Sequence, residues 1–179
     1  MKDYKPRNHL KYMGSKTVYA KEIAWHIRDA HPGGEFVEVF HGGGAITAQL
    51  KPRVAYDGNP CLKSFFDHIK TNPVLRPMEK PEWLRHKEEL NQNDPRMAFA
   101  AFGNSFMGVS FNCFEQNSFD HTPLSNGIQK TEFVTADFKD LDFEGKVIYC
   151  DPPYKSTHGY NARGGGGLKN STSTNLMHG

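Results

Sequence analysis

Glu35-Phe36-Val37-Glu38-Val39-Phe40-His41-Gly42-Gly43-Gly44 is an apolar run that breaks into three consecutive glycines, and a helical pattern from Ala45 to Leu50 follows it. The run reads as a strand because Phe and Val suit a pleated, half-buried surface. Strand, glycine loop and helix is the arrangement that presents backbone N–H groups and a helix N-terminus to a ligand. The spacing is not G-x-G-x-x-G and no Gly-Lys-Ser/Thr follows, so neither a dinucleotide nor a phosphate site is indicated. The stretch predicts an α/β fold with a ligand at the carboxyl ends of its strands.

The same pattern recurs along the chain. Arg53-Val54-Ala55-Tyr56 is a short strand closing in Asp57-Gly58-Asn59-Pro60, with a helix expected from Cys61 to Lys70. An acid at the end of the second strand suits ribose hydroxyls, and it equally suits capping that helix. Thr131 to Ala136 reads as a strand ending at Asp137-Phe138. Lys146-Val147-Ile148-Tyr149-Cys150 reads as a buried strand, stopped by Asp151-Pro152-Pro153-Tyr154 because proline cannot donate to a ladder. Four strands therefore end in chemically equipped loops.

Between these strands, residues 71 to 81 are proline-rich and irregular, and Pro81 to Leu90 reads as a solvated helix carrying Glu82, Arg85 and Lys87. A second, apolar helix is expected over about Met97 to Ala101. From Phe102 to Phe119, Phe102, Phe106, Phe111, Phe114 and Phe119 are interleaved with Gly103, Asn104, Ser105, Asn112 and Gln116. Aromatics among amides and hydroxyls suit base-edge contacts and stacking. They suit a glycine-bearing hairpin packed on a core equally well. Ahead of all this, Lys11-Tyr12-Met13-Gly14-Ser15-Lys16 precedes a helical pattern from Thr17 to Ala30. Its glycine-serine turn is flanked by an aromatic and a cation.

Composition narrows the class. A chain of 179 residues can bury roughly 70% of its unfolded surface. Net charge of +2 permits nucleic-acid contact without announcing it. Cys61, Cys113 and Cys150 are widely spaced, with no CxxC and no metal-ligand spacing among the histidines, so no metal site or disulfide framework is expected. There is no signal-like or membrane-length apolar run, and the expectation is a cytoplasmic protein. After Tyr160 the sequence turns to glycine, serine and threonine, a tail from 161 to 179 expected to be disordered.

In order, these motifs resemble the Dam-like DNA adenine-N6 methyltransferases, with K-[WY]-x-G-[GS]-K, F-V-E-P-F-x-G-x-G, D-x-N and D-P-P-Y. Here they stand as Lys11 to Lys16, Phe36 to Gly44 with Val39 for the usual Pro, Asp57-Gly58-Asn59, and Asp151 to Tyr154. The resemblance covers about residues 7 to 160. It implies a Rossmann-like S-adenosylmethionine-dependent methyltransferase sheet built from 1–70 and 131–160, with a small, mainly helical or irregular target-recognition insert over 71–130. S-Adenosyl-L-methionine is the implied donor and double-stranded DNA the implied partner. The resemblance assigns Tyr12, Lys16, Glu38, Phe40, Gly42, Gly44, Asp57, Asp137 and Phe138 to the donor, and Asp151, Pro152, Pro153 and Tyr154 to catalysis. Asn104, Ser105, Phe106 and Asn112 are the candidate DNA contacts.

Cys150 is expected to be a buried strand thiol with no nucleophilic role. The family continues well beyond D-P-P-Y, so the sheet is expected to be incomplete at its carboxyl-terminal side and the activity of this chain to be low. Three alternatives stand beside the main reading. One is a cytosine-N4 methyltransferase, which shares the Asp-Pro-Pro-Tyr logic. A protein-glutamine methyltransferase, another, usually carries Asn at the position of Asp151. The last is a non-catalytic DNA-binding remnant using Phe102 to Phe119.

Overall fold

Four parallel strands form the centre of the molecule. The structure is a computed structural model and describes residues 9–153; Tyr154 and the expected tail lie outside the described residues. β1 (Phe36–Val39), β2 (Val54–Asp57), β5 (Glu132–Thr135) and β6 (Val147–Cys150) are ordered β5-β2-β1-β6. Register pairs Val37 with Val54 and Ile148, and Ala55 with Phe133. Taken in chain order the sheet runs 3-2-1-4, the Rossmann arrangement, whose crossovers diverge between β1 and β6. All four carboxyl ends therefore share one edge, and the expected loops sit there together.

α1 (Ala20–Ala30) and α2 (Ala45–Leu50) cover one face at β1 and β6. Ala20, Ala24, Ile46 and Leu50 form a small core there against Phe36 and Tyr149. Small residues on α1 allow the two helices to approach closely. Arg28 of α1 donates to the Leu50 carbonyl at 2.8 Å and to that of Gln49, capping α2. α1 begins three residues later than expected, after a turn at 17–19. α3 (Pro60–Ile69) follows β2, and its N-cap is Asn59, which accepts from the Cys61 N–H at 3.3 Å. The capping role considered for Asp57 thus belongs to Asn59.

The stretch read as the insert does not build a core of its own. α4 (Lys80–Glu89) and a buried π-helical turn over Phe99–Gly103 contribute Trp83, Phe99 and Phe102 to the same cluster as Leu10, Phe65, Phe66 and Phe133. α5 (Thr122–Ile128), also within that stretch, packs on α2 so closely that a Cβ at Gly127 would stand 2.6 Å from the Ala48 carbonyl oxygen. Residues 71–81, expected to be irregular, include β3 (Val74–Leu75), which pairs antiparallel with β4 (Phe119–Asp120). The α4 surface is also less solvated than expected. Glu82 is drawn in by Arg96 and Arg76 at 2.7 Å each, and burial, which would raise its pKa, is outweighed by these two guanidinium groups.

β6 departs from the expected buried strand. It is the edge strand of the described sheet, with Val147 and Tyr149 half-buried toward the helices while Ile148 and Cys150 are exposed on the other face. Strand alternation explains this, because only one face is covered by helices here.

Replacing Gly127 with Ala is expected to lower stability by about 1–3 kcal/mol. The clash is with backbone that a side-chain rotation cannot relieve, and urea denaturation of the two proteins measures it.

Candidate active site

The site grows from the way β1 ends. Phe40 leaves the strand with φ +62, a left-handed conformation that disfavours a bulky residue and is held by the surrounding structure. Its N–H and that of His41 both donate to the Tyr56 carbonyl, at 2.8 and 3.3 Å. Gly42 and Gly44 follow with φ +47 and +73. At Gly44 a Cβ would stand 2.6 Å from the Phe66 ring, so that position admits glycine for conformation and space alike. His41 is buried edge-on against Phe66 and Phe133, each 5.1 Å away centroid to centroid. Its Nδ1 has no hydrogen-bond partner, and burial lowers its pKa, keeping the imidazole neutral.

Asp57 ties this loop to the next strand end. Its Oδ2 accepts from the Gly42 N–H at 3.1 Å and its Oδ1 from the Asn59 N–H at 2.9 Å. Beneath the loop lies Glu38, 2% exposed, with Oε2 unpartnered. Burial pushes its pKa up to about 8. Attraction to the buried Thr47 hydroxyl offsets part of the rise, and the charges of Asp57 and Asp151 add to it. Three carboxyl groups from three strands therefore act on one another at this edge.

Lys16 enters that acidic cluster. Its Nζ donates to Asp151 Oδ2 at 2.5 Å and to the Gly14 carbonyl at 3.2 Å. The resemblance assigned Lys16 to the donor; the structure seats it on the carboxylate that opens the Asp-Pro-Pro motif. Tyr12 lies over the glycine loop, its ring 3.0 Å from where a Gly42 Cβ would be. Phe40 and Phe138 meet at 5.3 Å between centroids, bridging two strand ends, while the Asp137 carboxylate accepts from the Lys139 N–H at 3.1 Å. Cys150, expected to be buried, is exposed. Desolvation and the neighbouring Asp151 charge still raise its pKa.

The four candidate DNA contacts divide. Asn104 and Ser105 are wholly buried. Asn104 donates to the Phe99 carbonyl at 3.2 Å and accepts from the Asn117 N–H at 3.1 Å, and Ser105 accepts from the Trp83 indole N–H at 3.1 Å. Their polar groups bond within the same stretch, Ser105 also donating to the Ala100 carbonyl at 3.0 Å. Phe106 is 52% exposed and Asn112 is exposed, and Met107, which the sequence reading passed over, is 66% exposed with φ +58. Phe102, Phe111 and Phe119 pack in the core. Lys11 and Glu115 form a salt bridge across 104 residues, a pairing with no local signal in the sequence. Among the described residues no group of His, Cys, Asp and Glu side chains is arranged to hold a metal ion, and no helix is long and apolar enough to cross a membrane.

A 3-2-1-4 parallel sheet with its glycine loop, second-strand acid and Asp-Pro-Pro turn on one edge defines a Rossmann-like methyltransferase fold. Residues 12–121 match the family model of the D12 class N6 adenine-specific DNA methyltransferases, and the chain belongs to that family. It is also similar to two proteins called DNA adenine methylase, from two strains of Vibrio cholerae serotype O1, O395 and El Tor Inaba N16961. Identity to each is 25% over 186 residues, covering 84% of this chain and 66% of the relative. The chain thus spans just under two thirds of the length of these relatives.

The raised pKa of Glu38 has a signed consequence. Its favourable contribution to folding is complete below the unfolded value near 4.5 and is lost as pH rises through about 8. Glu38→Gln is expected to flatten the decline in stability between pH 5 and 9 by several kcal/mol, read from urea unfolding at both pH values.

Proposed function

We propose that this chain carries the donor-binding and catalytic residues of a DNA adenine-N6 methyltransferase that uses S-adenosylmethionine and acts on an adenine flipped out of a duplex. The observation that supports this most is the convergence at the β1/β6 divide. Asp151, anchored by Lys16 at 2.5 Å, stands at the same sheet edge as the glycine loop that Asp57 holds by its Gly42 amide.

The residues at that edge fit such a donor. Positive-φ glycines keep the loop free of side chains. Glu38 Oε2, which has no hydrogen-bond partner, is an acceptor for an ammonium group, and Asp57 keeps lone pairs for ribose hydroxyls. Tyr12, Phe40, Gly42 and Gly44 would border the methionine part, and Asp137 and Phe138 the donor's adenine. Once bound, S-adenosylmethionine supplies an electrophilic methyl group on a sulfonium sulfur.

The chain's own task is to make a poor nucleophile attack. The exocyclic amine of adenine has its lone pair delocalised into the ring. Asp151 would accept a hydrogen bond from one of its N–H groups and the Pro152 carbonyl one from the other, which favours a pyramidal nitrogen with a localised pair; as the N–CH3 bond forms, the S–CH3 bond breaks and the nitrogen sheds one of these protons. Lys16 fixes the rotation of the carboxylate beforehand, so the acceptors need little reorganisation at reaction. Tyr154 would stack on the extruded base. Phe106, Met107 and Asn112 are exposed residues of one insert turn and would be available to the duplex. Cytosine N4 has the same amine chemistry, and the family match favours adenine.

The test incubates the full chain with methyl-labelled donor and a mixed-sequence duplex, then separates the nucleosides. Label is expected in N6-methyladenine. Asp151→Ala is expected to lower the rate at least about a hundredfold while leaving duplex affinity within about twofold. Label in N4-methylcytosine would overturn the acceptor assignment. Duplex binding by both proteins with transfer by neither would identify a non-catalytic binding protein.

A further inference from the structure

Residues 10 to 16 run between the insert and the carboxyl edge of the sheet, in contact with both. On the insert side the Tyr12 ring lies 4.7 Å from that of Phe102, tilted by 56°. On the sheet side it abuts the glycine loop, where a Cβ on Gly42 would meet the ring at 3.0 Å and one on Gly43 would meet the Tyr12 Cβ at 3.0 Å. The exposed turn of the insert touches the same stretch through Gly108, whose Cβ would stand 3.0 Å from the Lys11 carbonyl and from the Tyr12 nitrogen. The Tyr12 carbonyl accepts from the Ser15 N–H at 3.1 Å, starting the turn that delivers Lys16 to Asp151.

One ion pair sets the register of this contact. Lys11 Nζ donates to Glu115 Oε2, with the lysine side chain only 14% exposed. Glu115 is itself fixed, because its N–H donates to the Asn104 carbonyl at 2.9 Å and Asn104 is fully buried. Removing the carboxylate would leave a largely desolvated ammonium without its charge partner. Close-packed contacts carry such a shift onward because no void absorbs it.

We infer that Glu115 is a positioning residue of the donor site, acting through Lys11 and Tyr12 on the glycine loop and Lys16, so that duplex engagement by the insert and donor binding are coupled. The inference rests on the donor and duplex assignments proposed above. By linkage, whatever factor the duplex adds to donor affinity, the donor adds to duplex affinity.

The experiment measures S-adenosylmethionine affinity of the full chain by calorimetry, with and without a saturating adenine-containing duplex. Wild type, Glu115→Gln, Lys11→Met and the charge-exchanged double variant Lys11→Glu/Glu115→Lys are compared. In wild type the duplex is expected to tighten donor binding by roughly fivefold or more. Each single variant is expected to lose at least about two thirds of that factor, and the exchanged pair to recover most of it. A merely structural role would lower the melting temperature and leave the ratio of the two affinities unchanged. A wild-type ratio in Glu115→Gln, or an exchanged pair that folds without recovering the ratio, would overturn the inference. Failure of wild type to bind the donor at all would instead sink the functional reading, and the inference with it.

Discussion

The Asp57 carboxylate holds together two turns that would otherwise be independent. It takes the Gly42 amide on one oxygen and the Asn59 amide on the other, joining the loop after β1 to the turn after β2. A hydrogen bond to a charged acceptor contributes more than a neutral one, and here it offsets local strain. Phe40 and Gly42 both have positive φ, and the loop keeps that shape because Asp57 and the Tyr56 carbonyl accept its amides. The same anchoring keeps His41 pressed against Phe66 and Phe133. Without it, the loop would have less to hold it in its place against Tyr12.

That arrangement concentrates negative charge, and the site has two ways of limiting the cost. Glu38 stays protonated up to about pH 8, mainly through burial. Lys16 pairs with Asp151, which sets a cation against the carboxylate nearest the proposed chemistry. The division is physically sensible. A neutral Glu38 costs less to bury than a charged one, whereas Asp151, held by Lys16, is oriented to accept a hydrogen bond.

The sheet and its equipped edge were legible in the sequence because their signals are local. β-branched runs end in Gly, Asp or Pro within three residues of the observed boundaries, and α2 occupies the residues expected of it. What escaped depended on distant partners. Asn104 and Ser105 have the donors and acceptors that suit a base edge, and the same groups suit a buried backbone; only the packing of Trp83, Phe99 and Asn117 around them decides which. α5 reads Thr-Pro-Leu-Ser-Asn-Gly-Ile, with only Leu124 and Ile128 at helical spacing, and Gly127 lets it lie on Ala48. The salt bridge of Lys11 to Glu115 has no sequence signature at all.

Cys150 bears on what kind of chemistry this edge supports. It is exposed, the one condition here that would invite a nucleophilic role, and it sits next to Asp151. Its pKa is nevertheless raised, through desolvation and the Asp151 charge, so the reactive thiolate is disfavoured where a covalent nucleophile would need it favoured. Cys61, the other thiol near the glycine loop, is buried, pushed up to about 12, and bonded to Asn59. Glu38 is too deeply buried to serve as a mobile base. What remains at the edge are acceptors held in place: a carboxylate steadied by a lysine, a carbonyl within a proline turn, and a backbone loop pinned by an aspartate. Such groups would orient and polarise an amine that is itself the nucleophile, as the proposed direct transfer requires.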